Sequence, residues 1–386
     1  MNFGCGVLIA VLLMALPGAV VGRAGGLRWP LAIAVGPALT YGTVALAIVP
    51  FGALGIRWNA LSALLTLAVV TGVAAGLRAV LARPDPAPKA ARRARPDWPV
   101  IGTAAGVIFG ALAIGFAAWR GMPYWQSIPS TWDSVWHANV IRWILDTGQA
   151  SPTHMGELRN VETHAALYYP SAFHALGAVL AQITGAAPTT AYTLSSLASA
   201  VWLFPVSAAL LTWQVLITRT TRWRTAGAAA TAGALSASFT AVPYVEFDTA
   251  SMANMTAYGL AVPAFVLITT APAHWSRIPL AVLALVGVFS VHITGGVVVV
   301  TFVTIWWLFE AWRRPVRNRL ADFGTLLVIA APTLAVLLPL AMVESRWPPE
   351  KPRQLARMKT GRSSPVKSRM AWAVLKAESG YHTWPA

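Results

Sequence analysis

Apolar runs of roughly twenty residues follow one another along this chain, at 5–22, 29–50, 59–82, 98–118, 190–217, 226–242, 257–271, 279–293, 296–312 and 321–343. A helix of ~20 residues, rising 1.5 Å per residue, crosses a hydrocarbon core of ~30 Å. Lipid offers the backbone no hydrogen-bond partner, so a spanning segment must be a helix or part of a closed barrel. These runs are continuous, whereas barrel strands alternate apolar and polar residues. The pattern therefore predicts an all-α fold, a polytopic transmembrane helical bundle of about 10–11 spans. A further apolar segment at 170–184 reaches only ~22 Å as a helix. It is expected to be re-entrant or packed at the outer interface.

The pattern breaks between Arg120 and Pro170. This stretch holds Asp133, Asp146, Glu157 and Glu162 of the thirteen carboxylates, and His137, His154 and His164 of the seven histidines. Ionisable groups in a membrane protein are costly unless they face water, a cavity or a partner, so chemistry is sought here first. Ser130 or Thr131 can cap a helix that carries Asp133 in its first turn, Ser130-x-x-Asp133 being a loose capping box. Gly148 suits the position just past the helix end. The helix is expected over Trp132–Thr147. Trp136, Val140, Ile141 and Ile144 form its apolar side, edged by Trp132 and Trp143, which suits an extracytoplasmic helix lying in the membrane interface. Asp133 and His137, four apart, share a face. The plainer readings are a helix-start charge for Asp133, favoured by the dipole, and a solvated side chain for Asp146.

Composition agrees. The chain is 56% hydrophobic and 11% charged, where soluble domains carry about 25% charged residues. The net charge of +16 does not point to nucleic acid, because the basic residues, mostly Arg, gather in short loops beside apolar runs, the positive-inside pattern. A basic Pro/Ala-rich linker (83–97) and the loops bearing Arg23 and Arg28, Arg219 to Arg224, and Arg313 to Arg319 are expected in the cytoplasm. Counting spans from them puts 120–170 and 243–256 outside, in a multi-pass protein of the plasma (inner) membrane. The expected order is an N-terminal three-span region (1–82), the linker, a membrane core (98–343) and a basic tail (344–386). That tail reads as cut short or as the stub of a larger extracytoplasmic part. The single cysteine, Cys5, leaves no intrachain disulfide and no cysteine metal site. The uncharged Met1–Gly4 favours a retained span over a cleaved signal peptide.

Other candidates follow Asp133 and His137. Glu162 and His164 form a second polar cluster, although polar residues are ordinary in a loop. Pro170 suits a helix first turn and holds Tyr169 extended, and His174 comes one turn later. A lone His on an apolar helix is more often a packing residue, but this one sits at a span edge beside Tyr168 and Tyr169. Glu246 and Asp248, beside Tyr244 and Phe247, follow a small-residue span able to pack closely; the alternative is an ordinary exposed loop. His292 lies at a span end before Gly295-Gly296 and faces a cavity or a neighbouring helix.

These residues resemble a known family. Asp133 opens an interfacial helix after a span, Tyr168-Tyr169-Pro170-Ser171-Ala172-Phe173-His174 leads into an apolar segment, and an Ala/Gly-rich span ends in Glu246-Phe247-Asp248. Over roughly 98–310 this resembles the C-type (GT-C) multi-pass glycosyltransferases. The Trp132-Asp133-x-x-x-His137 and Tyr-Tyr-Pro-x-x-x-His patterns are also similar to an uncharacterised family of actinobacterial multi-pass membrane proteins. The resemblance implies transfer of a sugar from a polyprenyl-phosphate donor to a cell-envelope glycan acceptor on the outer face. It implies Asp133 as catalytic base and Asp248 or Glu246 at the donor phosphate or a metal. The chain departs from the superfamily in having Ser134, not a second acid, after Asp133, and in placing three spans before the core. A carboxylate can take the acceptor proton, while Arg142, His137 and His174 are candidates to stabilise the leaving phosphate. Asp133 and Asp248 as oxygen ligands would suit Mg or Mn, though the sequence requires no metal.

Two rivals stand against this. A transporter or flippase of a lipid-linked substrate predicts mid-span charge and matching broken helices in two halves. Mid-span charge is nearly absent and no matching halves are visible, although Pro37 and Pro205 interrupt spans. A non-catalytic envelope-assembly protein predicts indifference to the loss of Asp133.

Overall fold

The computed structural model describes residues 1–81, 96–122, 124–129, 131–155, 158, 168–311, 313 and 315–345. Most of the linker expected at 83–97, and the tail beyond 345, lie outside the described residues. Met1–Glu344 form one compact unit, and the remainder, Ser345–Ala386, a second.

The described residues form helices and no β-strand. In chain order they are α1 (Phe3–Ala24), α2 (Trp29–Leu54), α3 (Ala60–Leu81), α4 (Trp98–Gly121), α5 (Trp132–Thr147), α6 (Ala172–Thr184), α7 (Pro188–Ala198) and α8 (Phe204–Leu216). They continue with α9 (Arg222–Leu235), α10 (Met252–Thr270), α11 (Ile278–Val291), α12 (Ile293–Ala311) and α13 (Val316–Ser345). Among the described residues, eight stretches are long and apolar enough to cross a membrane: α1 to α4, α7 with α8 as one stretch, α10, α12 and α13. The protein is thus an all-α, multi-pass membrane bundle. Its core is rich in alanine, with Ala10, Ala15 and Ala19 of α1 buried against Ala32, Ala38 and Ala45 of α2. Small residues are what let helix backbones approach closely where lipid removes the hydrophobic drive between them.

Two expected spans, 226–242 and 279–293, are not among the eight long apolar stretches, and a third, 190–217, is one of them but carries an interruption. The run at 226–242 is helical only to Leu235. Beyond it the Ser236 and Ser238 hydroxyls donate to the carbonyls of Gly233 and Leu235, competing with the helical ladder, and Pro243 has no N–H to offer it. In 190–217, a widened turn at Ser199–Leu203 joins α7 to α8 without leaving helical backbone angles, and Pro205 follows it, so the ladder bond that Pro205 cannot donate falls at the irregular turn. Pro37, by contrast, lies within a continuous α2.

Hydrogen bonds identify the two ends of the bundle. At one end the Trp58 N–H donates to Gly148 O at 2.7 Å, Thr190 and Thr193 donate to Gln126 O and Ser127 O, and Tyr192 donates to Ala250 O. At the other end Arg222 pairs with Asp97 and Arg219 lies over Phe309.

The short helix α6 belongs wholly to the first end. Ala175 O, near its start, accepts from Trp58 Nε1 at 2.9 Å, and Gln182 Oε1, near its finish, accepts from Ala60 N at 2.7 Å. Trp58 and Ala60 lie at the same α2–α3 junction, so α6 returns to the end it left and does not cross. Consequently α5, α6 and the 246–251 turn share one end.

Candidate functional site

The helix α5 spans Trp132–Thr147 as its sequence signals predict. Thr131 caps it, its Oγ1 accepting from the Ser134 N–H at 3.3 Å. Gly148, at φ +73°, closes it by donating to Ile144 O at 2.8 Å, a left-handed conformation that favours glycine. Val140, Ile141 and Ile144 are fully buried, and this face packs on α6 and α7. Asp133, on the same side of the helix but in its first turn, stays exposed.

The Tyr169 N–H donates to Pro152 O and the Ser171 hydroxyl to Ala150 O, which seats the strand-like approach to α6. Pro170 therefore precedes the helix rather than opening it, and Ser171 stands at the cap. His174 then falls in the first turn of α6, wholly buried, while His137 retains 5% exposure. His137 Nδ1 and His174 Nε2 are 2.7 Å apart and hydrogen-bonded. The His137 and His174 rings therefore meet edge to edge, with centroids 4.9 Å apart and planes 25° apart, while Tyr192 lies nearly parallel to His137 (5.6 Å, interplanar 15°). Tyr169 and Phe173 edge the cluster, and Trp136 packs against Tyr169. Burial, and next the charge of His292, pushes His137 down to about 4. Burial, and next His137, holds His174 well below the ordinary histidine range. Both rings are therefore neutral at pH 7.

Other candidates surround this pair unequally. Asp133 lies within electrostatic reach of the Tyr192 hydroxyl, and His292 within that of His137. His292 Nδ1 is bonded to Thr294 Oγ1 at 2.8 Å, and the same hydroxyl meets Asn254 Oδ1. Glu246 is half-buried and Asp248 exposed, on a short helical turn that ends two residues before Ala250, the acceptor of the Tyr192 hydroxyl. Arg142 turns away: its Nε bonds Asp146 Oδ2 at 2.7 Å, with both side chains more than half exposed. Glu162 and His164, like Ser130 and Glu157, lie outside the described residues. Among the described residues no three of His, Cys, Asp and Glu gather as a metal site.

The bond between Tyr192 and Ala250 carries a prediction. Tyr192→Phe leaves the Ala250 carbonyl without its buried donor, at ~1–3 kcal/mol. A thermal midpoint several degrees lower in detergent is expected; an unchanged midpoint would show that the bond does not hold the 246–251 turn.

Sequence reasoning missed Tyr192, Asn254 and Thr294. For Tyr192 a signal existed: Pro188-x-x-x-Tyr192 repeats the spacing of Pro170-x-x-x-His174, each placing a polar ring about one helical turn past a proline. Asn254 and Thr294 come together only through the antiparallel return of α10 and α11, which no local spacing reveals.

No curated protein and no solved structure matches the chain. A family model does match, over residues 11–377, and its description is "Family of unknown function". With nearly the whole chain covered, the protein belongs to that family, DUF6541.

Proposed function

We propose that the protein is a membrane glycosyltransferase that moves a sugar from a polyprenyl-phosphate donor to a cell-envelope acceptor, at the end of the bundle bearing α5. The observation that carries this reading is Asp133: an exposed carboxylate on an interfacial helix, set beside a buried cluster of histidines and tyrosines. In the reaction the acceptor hydroxyl oxygen attacks the anomeric carbon as its proton passes to the Asp133 carboxylate. The bond from that carbon to the phosphate oxygen breaks, and its electron pair leaves with the polyprenyl phosphate. The exposed faces of Trp136 and Tyr169 offer rings for a sugar to lie against. Glu246 and Asp248 stand across the same end.

Two features support a lipid-linked donor at an outer surface. A cleft of about 340 Å³ lies between α1, α2, α3 and α6, lined by Leu13, Val44, Leu64, Leu67, Leu176 and Val179 among others. Its Thr43 and Thr66 hydroxyls donate to their own helices, so the wall suits a hydrocarbon tail lying along α6. In addition, Arg23, Arg78, Arg219, Arg222, Arg224 and Arg277 sit at the opposite end, which under the positive-inside rule supports a cytoplasmic face there and an external face at the α5 end.

The test is consumption of labelled polyprenyl-phosphate sugars by the purified protein in lipid nanodiscs with an envelope glycan fraction as acceptor. Release of polyprenyl phosphate with label in the glycan is expected. If no donor of a broad panel is bound or consumed, the reading is wrong and lipid transport or envelope assembly replaces it.

A further inference from the structure

His174 uses one ring nitrogen on His137, while the other, Nδ1, is buried and unpaired. Two proton arrangements satisfy the bond between neutral rings. In the first, His174 Nε2–H donates to a bare His137 Nδ1. His174 Nδ1 is then an unfilled lone pair, and the His137 proton sits on Nε2. In the second, His137 Nδ1–H donates to His174 Nε2, which leaves His174 with a buried N–H at Nδ1 and His137 with a bare Nε2. A buried N–H lacking an acceptor is the rarer defect, and stranding a donor carries its full desolvation cost.

The place of His174 in the chain points the same way. It is the third residue of α6, and Ser171 makes no side-chain cap there. The unpaired N–H groups and the dipole of a helix start create a positive potential. That potential favours a lone pair at Nδ1 over a second N–H. His137 Nε2 differs from His174 Nδ1. Among the described residues it has no hydrogen bond, yet it is not one of the enclosed, unpaired atoms, and the ring keeps its 5% exposure. It therefore faces the open side of the cluster; Tyr169 and Tyr192 flank the ring, and His292 lies within electrostatic reach of it.

We propose that His174 is a positioning residue that fixes His137 as the Nε2–H tautomer, so that His137 offers a neutral hydrogen-bond donor to an acceptor oxygen of the ligand, a phosphoryl oxygen of a lipid phosphate. The choice of ligand rests on the glycosyl-transfer reading; the tautomer does not. A ring in this state takes no proton from the acceptor hydroxyl and binds no metal through Nε2, which leaves the base role to Asp133. Neutrality also lets both rings remain buried without an unpaired charge.

Nitrogen-15 NMR of histidine-labelled protein in nanodiscs tests the tautomer, with His137→Gln used to assign the signals. A protonated Nε2 and bare Nδ1 are expected at His137. His174→Phe should replace this single form by a mixture, and His174→Gln, whose amide can still donate from the Nε2 position, should restore it. A bare Nε2 at His137 in the unaltered protein overturns the proposal. Farnesyl phosphate binding tests the donor role. His137→Phe should weaken it about tenfold or more, as expected for a hydrogen bond to a charged group. His137→Gln, with an amide N–H at the Nε2 position, should recover most of it. Equal binding by the unaltered protein and His137→Phe overturns the donor role. Failure of the unaltered protein to bind farnesyl phosphate at all counts against both the lipid phosphate and the proposed reaction. Loss of sugar transfer from the proposal, with farnesyl phosphate binding and the tautomer intact, would overturn the reaction alone.

Discussion

Asp133→Asn is expected to lower sugar transfer by at least ~10²-fold, and by up to ~10⁴-fold, the range a positioned general base supplies. The substitution keeps the shape of the side chain and removes the lone pair that takes the acceptor proton. Its structural cost is small. Asp133 is exposed and the helix is held by Thr131, Gly148 and the buried Val140, Ile141 and Ile144, so the fold loses only the favourable charge at a helix start, ~0.3–1 kcal/mol. Asp146→Asn is the matching control. Asp146 lies on the same helix but is bonded to Arg142, near the other helix end, and its replacement should leave transfer unchanged. Initial rates with labelled donor, alongside the thermal midpoint of each variant, decide the matter. Transfer by Asp133→Asn at the unaltered rate would remove Asp133 from the base role, and equal losses in both variants would mark a structural effect of α5.

What the chain discloses locally, it discloses well. The α5 helix was legible to its last residue because capping, amphipathic spacing and a C-terminal glycine all act within sixteen residues. The spans were legible because lipid leaves the backbone no alternative to helix, and the failure at 236–242 arises where Ser and Pro offer one. Relations between distant segments were less legible. Length alone made α6 an anomaly, and only its bonds to Trp58 and Ala60 show that it turns back. His137 and His174 were each marked by their local setting, but their hydrogen bond joins residues 37 apart. Arg142 was marked as a phosphate partner by charge, and its i+4 neighbour Asp146, also visible in the sequence, engages it instead.

The platform beneath the site depends on two glycines, and Gly36→Val is expected to be among the most damaging changes in the bundle. A Cβ at Gly36 would run into the carbonyl oxygen of Ala15, and one at Gly18 into that of Gly36. The two backbones thus touch, and the Gly18 N–H reaches across to Thr40 Oγ1 at 2.8 Å in the buried interface. In lipid such contacts and bonds are the main source of helix association. Valine must force α1 from α2, at ~1–3 kcal/mol for overpacking and ~1 kcal/mol more for the strained hydrogen bond. The effect should spread to the site, because α2 packs on α6 and α1 on α7, the helices that carry His174 and Tyr192. A thermal midpoint lower by roughly 3–5 °C, the shift that a loss of that size gives a chain of this length, and reduced sugar transfer are expected. Gly4→Val offers the comparison: Gly4 is also in α1, but a Cβ there meets nothing within 4 Å. If Gly36→Val and Gly4→Val unfold at the same temperature, close backbone packing does not hold α1 against α2.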